Sequence, residues 1–238
     1  MVEVKNLTKE YGKKTAVDQI SFEMEKGVIY GLLGSNGAGK STTMNLITGY
    51  LAPTEGEILI GGYDLQKEPE KAKSFIGYLP EIPPLYPDMT VWEFLSFVAR
   101  LKGVKKDIME EQLEEIMDQT GIMDVEDRLI KNLSKGYKQR VGLAQAMVGY
   151  PDVIILDEPT VGMDPKQIIE IRGLIKQLGR EHAVLMSSHI LTEVSVVCDH
   201  VFIISKGKLV ASLDMDQLEK PLEDVFLELT ENEQEEQA

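Results

Sequence analysis

The sequence predicts an α/β fold: a parallel sheet covered by helices, with one all-helical insert. Three observations carry that expectation. Short apolar runs of buried-strand type recur at residues 28–33, 153–156, 183–186 and 201–204. Runs that are apolar on both faces belong in a parallel sheet covered on two sides. Helical periodicity separates the later runs, and strands alternating with helices build β-α-β units. Between the first and second runs, residues 88–148 read as helical throughout.

In chain order, strand-type runs at residues 2–6 and 20–24 come first. The run at 28–33 feeds a glycine-rich turn. A helix is then expected from about Lys40 to Gly49, where glycine can end it. Pro80, Pro83, Pro84 and Pro87 remove backbone donors and fix φ, so residues 80–87 form an extended, stiff loop. Thr90 and Glu93 have the spacing of a capping box and open the next helix. Met109, Leu113, Ile116 and Met117 share one face of another. After the run at 153–156, Asp164 as N-cap and Pro165 as first residue start a helix. Its apolar face carries Ile168, Ile171, Ile175 and Leu178. Residues 231–238 hold four Glu and no basic residue, a composition expected to stay disordered. The chain contains no internal repeat.

The 238 residues are 43% hydrophobic and 27% charged, values of a soluble globular protein. That length supports a core without staples. The single cysteine, Cys198, excludes an internal disulfide framework and a multi-cysteine metal site. It is expected to pack as a small apolar filler. Forty acidic against 25 basic residues give a net charge of -15. That balance argues against broad binding of nucleic acid and against a polybasic lipid anchor. No apolar run approaches the roughly 20 residues that span a bilayer. Residues 1–5 alternate like a strand and not like a signal peptide. The expectation is a cytosolic chain that meets a membrane only through a partner. The charge is also localised. Residues 107–127 contain nine acids and no Lys or Arg, and residues 231–238 add four more, which leaves a net -2 for the rest. The acidic insert is expected to be a solubilising face, with a docking surface for a basic partner loop as the sharper alternative.

Gly34, Ser35, Asn36, Gly37, Ala38, Gly39, Lys40 and Ser41 fit the pattern G-x-x-x-x-G-K-[ST], placed as it must be between a buried strand and a helix. The glycines let backbone N–H groups curl around a phosphate, and the helix N-terminus adds positive potential. Lys40 would set a point charge on the β- and γ-phosphates. The Ser41 hydroxyl would ligate Mg²⁺, and Thr42 would donate to an α-phosphate oxygen. Asp157 and Glu158 end the strand run at 153–156, where ligands bind in such sheets. Asp157 would face the Mg²⁺ and Glu158 would orient or deprotonate an attacking water. No Asn-Lys-x-Asp motif for reading guanine occurs, so ATP is the expected nucleotide.

Leu133, Ser134, Lys135, Gly136 and Tyr137 then carry a family likeness. The stretch resembles the signature motif of ATP-binding cassette (ABC) proteins, usually Leu-Ser-Gly-Gly-Gln, with Lys135 at the first glycine position and Tyr137 at the glutamine position. Further marks come in order. Asp157, Glu158, Pro159 and Thr160 continue to Asp164, which looks like the family's D-loop. His189 stands where the family has its switch histidine, contacting the γ-phosphate and steadying Glu158 and the water. Tyr11 resembles the aromatic that stacks on adenine. Glu81 replaces the Q-loop glutamine and keeps an oxygen to offer Mg²⁺ or water. Residues 77–81 and 222–230 are similar to exporter-type cassettes, including multidrug types, that work with a separate permease.

The resemblance covers essentially residues 1–230. It implies one nucleotide-binding domain: a P-loop NTPase core (about 1–87 and 149–230) with N-terminal antiparallel β-strands, and a helical subdomain (about 88–148). It implies an ATPase with ATP and Mg²⁺ as ligands. Two cassettes, identical or paired, would sandwich ATP, each phosphate loop facing the other's Ser134, Lys135, Gly136 and Tyr137. An integral membrane permease would hold the chain at the cytoplasmic face of the membrane. Two alternatives stand beside this. One is a soluble cassette acting on DNA or ribosomes, disfavoured by the short insert and the acidic balance. The other is a regulatory cassette that binds nucleotide without turnover.

Overall fold

The computed structural model describes residues 1–235, with side-chain surroundings for residues 1–230. The chain runs β1 (Val2–Tyr11), β2 (Lys14–Met24), β3 (Ile29–Leu33), α1 (Lys40–Ile47), β4 (Glu55–Ile60), β5 (Tyr63–Asp64), α2 (Pro69–Ser74) and β6 (Ile76–Leu79). Then come α3 (Val91–Leu101), α4 (Lys106–Thr120), α5 (Lys135–Met147), β7 (Val153–Asp157) and α6 (Pro165–Leu178). Last are β8 (Ala183–Ser187), α7 (Leu191–Val197), β9 (His200–Ser205), β10 (Lys208–Asp214) and α8 (Leu222–Glu235).

Two sheets result. The first is antiparallel, in the order β2-β1-β4-β5. The second has the order β10-β9-β3-β8-β7-β6. Its β9, β3, β8, β7 and β6 are mutually parallel, and β10 pairs antiparallel at one edge. Strand alternation explains how this sheet sits. Tyr30, Leu32, Val153, Ile155, Ala183, Leu185, Phe202 and Ile204 pack into one apolar cluster, shared with β1, β2 and α1. Their neighbours Ile29, Leu33, Ile154, Leu156, Val184, Met186, Val201 and Ile203 pack into the other, shared with α3 to α7. Successive residues point to opposite faces, so every interior strand must be apolar on both.

Several local signals hold. Thr90 and Glu93 form the capping box: Thr90 Oγ1 accepts the Glu93 N–H at 3.1 Å, and Glu93 Oε2 accepts the Thr90 N–H at 2.9 Å. Leu113, Ile116 and Met117 are buried on α4. Asp164 caps α6 by accepting from the N–H groups of Lys166 and Gln167. Cys198 is buried against the sheet.

Some expectations need correction. Residues 121–134 are not a continuous helix. Gly121 ends α4 in the left-handed conformation, and only single 3₁₀ turns at Met123–Val125 and Ile130–Asn132 follow. The first two strands run to Tyr11 and from Lys14, longer than the apolar pattern suggests, because register shifts let polar residues sit in the ladder. Residues 231–235, expected to be disordered, continue α8, consistent with the helix preference of Glu and Gln. Residues 236–238 of that expected tail lie outside the described residues.

Candidate active site

Three segments distant in sequence meet at the carboxyl ends of β3, β7 and β8, where parallel sheets open their ligand crevice. The loop after β3 leads into α1, whose N-cap is Gly39 and which has no side-chain cap. Its first N–H groups therefore face outward in want of an acceptor. Gly39 has φ 116, and a Cβ there would lie 2.7 Å from the Ala16 carbonyl, so only glycine fits. Lys40 is buried to 8% exposure, and its Nζ donates to the carbonyls of Gly34 (2.6 Å) and Ser35 (3.2 Å). Burial pushes its ammonium below the ordinary value, opposed by the carboxylates of Glu158 and Asp157.

At the end of β7, Asp157 pairs in register with Ser187 at the end of β8. Ser187 Oγ donates to Asp157 Oδ1 at 2.6 Å and accepts the Glu158 N–H at 2.9 Å. Glu158 has φ 48, a left-handed backbone that an L side chain adopts at a cost. The bond from its N–H to Ser187 holds that turn. His189 Nδ1 lies 2.9 Å from Glu158 Oε2. With the carboxylate ionised, Nδ1–H donates, and Nε2 is left for another partner.

A cleft of about 720 Å³ covers these groups, lined among others by Tyr11, Asn36, Gly37, Gly39, Lys40, Ser41, Thr42, Glu81, Glu158 and His189. Asp157 is 9% exposed and does not line the cleft. Gly34, Ser35 and Ala38 belong to the loop and do not line it. Tyr11 is half-exposed, and the Lys9 ammonium stands 5.4 Å from its ring centroid.

The signature residues lie elsewhere. Ser134 caps α5, its Oγ accepting the Tyr137 N–H at 3.4 Å. The Tyr137 hydroxyl donates to Asp124 at 2.8 Å, and that carboxylate raises its pKa. Gly136 packs against the Gln167 side chain of α6, and Lys135 reaches over Gly162, where a Cβ would collide with its Nζ. Lys135 also lines a second groove with Glu81 and Val161. Ser134, Lys135, Gly136, Tyr137 and Asp164 do not line the nucleotide-sized cleft of this chain.

The ABC transporter family model matches residues 17–161. The chain belongs to that family. It is an ATP-binding protein and an ATPase of the ABC class. It is 38% identical over 222 residues to the bacitracin transport ATP-binding protein BcrA of Bacillus licheniformis, covering 92% of this chain and 72% of that one. It is 35% identical over 227 residues to the lantibiotic transport ATP-binding protein SrtF of Streptococcus pyogenes, covering 95% and 96%. A solved ATP-binding subunit of an ABC transporter superposes with a TM-score of 0.88 at 30% identity, covering 96% of this chain and 99% of that one. The predicted fold class, a P-loop α/β core with an antiparallel N-terminal sheet and a helical insert, is the fold of this cassette.

Several cleft residues escaped the sequence. Lys14, Thr15 and Ala16 arrive from β2, and Lys206 and Gly207 from the turn between β9 and β10. Neither segment carries a phosphate-binding pattern; tertiary packing of β2 beside the phosphate loop puts them there. Ser187 stands two residues before His189 in a strand-end pair of serines, a signal that could have marked it. Glu193 offered none, being an ordinary acid in a helix's first turn.

Proposed function

We propose that this chain powers a membrane exporter by binding and hydrolysing ATP beside a separate permease, working as one of two cassettes. The observation that carries this reading is the convergence, in one cleft, of an uncapped helix N-terminus, the buried Lys40 and the Glu158–His189 pair. The phosphates of ATP would take the N–H groups of α1 and draw the Lys40 ammonium from its own loop carbonyls onto the β- and γ-oxygens. That exchange costs Lys40 no new burial, since it is already desolvated.

Ser41, Glu81 and Asp157 are the candidate Mg²⁺ ligands. The fit rests on the donors: a hydroxyl and two carboxylates are hard oxygens, Ser41 and Glu81 open on the cleft, and Asp157 directly precedes the cleft-lining Glu158. Bound there, Mg²⁺ would offset charge building on the phosphates. Glu158 would accept the proton of the attacking water, with His189 holding the carboxylate in place. Tyr11, at the outer rim, would stack on adenine.

The signature loop turned away from its own cleft supports a site completed by a second copy or a paired cassette. Ser134, Lys135, Gly136 and Tyr137 would meet the γ-phosphate held opposite, and Asp164 would stand at the seam. Relatives named for bacitracin and lantibiotic transport support export, with the chain held at the cytoplasmic face by its permease. Among the described residues no helix is long and apolar enough to cross a membrane.

Phosphate release by the purified chain, with MgATP and with EDTA in its place, tests this directly. Turnover that needs the metal and vanishes in Glu158→Gln is the expected result. Metal-independent turnover, or none with the permease present, would overturn it.

A further inference from the structure

We propose that Glu193 is a positioning residue for ATP hydrolysis: its buried carboxylate locks the segment after Glu158 to the segment before His189. The side chain is 2% exposed, in the first turn of α7, and does not line the cleft. Its Oε2 accepts from the Thr160 hydroxyl at 2.6 Å and from the Ser188 hydroxyl at 3.2 Å. Its Oε1 lies 3.5 Å from an Arg172 terminal nitrogen on α6. Thr160 is two residues beyond Glu158, and Ser188 immediately precedes His189. One carboxylate thus spans both arms of the pair.

The chemistry favours a designed hub over a chance burial. A buried carboxylate is costly unless strong donors compensate it. Here two hydroxyls and a guanidinium do so. Arg172 makes only a long contact, at 3.5 Å, and its Nε is buried with no hydrogen-bond partner. The hydroxyls therefore carry much of the compensation, and they are the two groups that lead to the cleft. Ser188 is itself pinned, its Oγ accepting the Ile190 N–H at 3.0 Å. Glu158, at φ 48, holds a backbone that relaxes unless its surroundings fix it. Ser187 clamps the turn at one side, and Glu193 through Thr160 clamps the other.

This inference rests on the roles given above to Glu158 and His189, and the experiment separates the two. Steady-state ATP hydrolysis is measured on the full chain for wild type, Glu193→Gln, His189→Ala, their double variant and Glu158→Gln. Glu193→Gln should lower kcat about tenfold, the scale of lost outer-shell support. KM for ATP should stay within about twofold, because the phosphate loop is untouched. In the His189→Ala background Glu193→Gln should cost less than it does in wild type, since one of the two ties acts through His189. Wild-type kcat in Glu193→Gln, or losses that multiply in the double variant, would overturn the proposal. If Glu193→Gln does not fold, Thr160→Val and Ser188→Ala keep the charge and test the same ties. A kcat-specific loss in them supports the hub, and wild-type kcat in both overturns it. Glu158→Gln at wild-type turnover would instead overturn the reading of the site, and this proposal with it.

Discussion

Two helices of this protein carry serine and glycine close to their start, yet they present contrasting N-termini. Helix α1 starts from Gly39 in a left-handed conformation, with no side chain capping it and Lys40 buried beside it. Helix α5 starts from Ser134, whose own hydroxyl accepts the Tyr137 N–H. The first lies in the cleft and the second does not. An uncapped terminus leaves donors that only an external acceptor can satisfy, whereas a capped one is already partly content. On this reading α1 supplies the half of the site that a single chain can offer an anion. Helix α5 offers a face that gains an anion only when a second cassette brings one.

The largest effect that separates them is on chemistry. Replacing Glu158 by Gln should cut turnover by about 10³-fold, within the range for a lost general base, while ATP binding at α1 persists. Retained turnover would mean that the cleft lacks the role given to it. Next comes binding: Lys40→Ala should weaken ATP affinity of the isolated chain by roughly 10- to 100-fold, the worth of a charge-assisted hydrogen bond. Titration with a fluorescent nucleotide reads it. Ser134→Ala should do the reverse. It should cost about 1 kcal/mol of stability as a lost N-cap, visible in the thermal midpoint, and leave ATP affinity of the isolated chain unchanged. Equal loss of affinity in both variants would erase the distinction.

The smallest effect is a proton. Burial depresses the Lys40 pKa in the folded chain, so its charged form costs stability at neutral pH. That cost lifts as pH rises through the depressed value towards the ordinary 10.5. Phosphate favours the charged form, so ATP binding in that alkaline window should take up a fraction of a proton. Calorimetry in buffers of different ionisation enthalpy measures it. Lys40→Arg, which stays charged, should show none.

How much of this was legible in the sequence follows from where the information lies. The four interior strands of the parallel sheet were plain, because residues such as Ile154 and Ile155 must be apolar on opposite faces. The phosphate loop was plain too, since it is one contiguous pattern whose residue types the chemistry dictates. Strands β4, β5, β6 and β10 were not read. In β10 the residues are half-buried or exposed and carry little period. Lys14, Lys206 and Glu193 were invisible for a different reason. Each owes its place to segments distant in sequence, and nothing local distinguishes such a lysine or a glutamate in a helix from a solvated one. The Ser187 clamp lies between these cases, at the end of a recognisable strand but with a partner supplied by register.

Sedimentation velocity of the Glu158→Gln chain, with and without ATP, tests the division between α1 and α5 most directly. ATP should convert a monomer into a dimer. ADP should not, and Ser134→Ala in the same background should weaken the conversion while nucleotide still binds. A chain that stays monomeric at saturating ATP, or that dimerises equally well without Ser134, would contradict it.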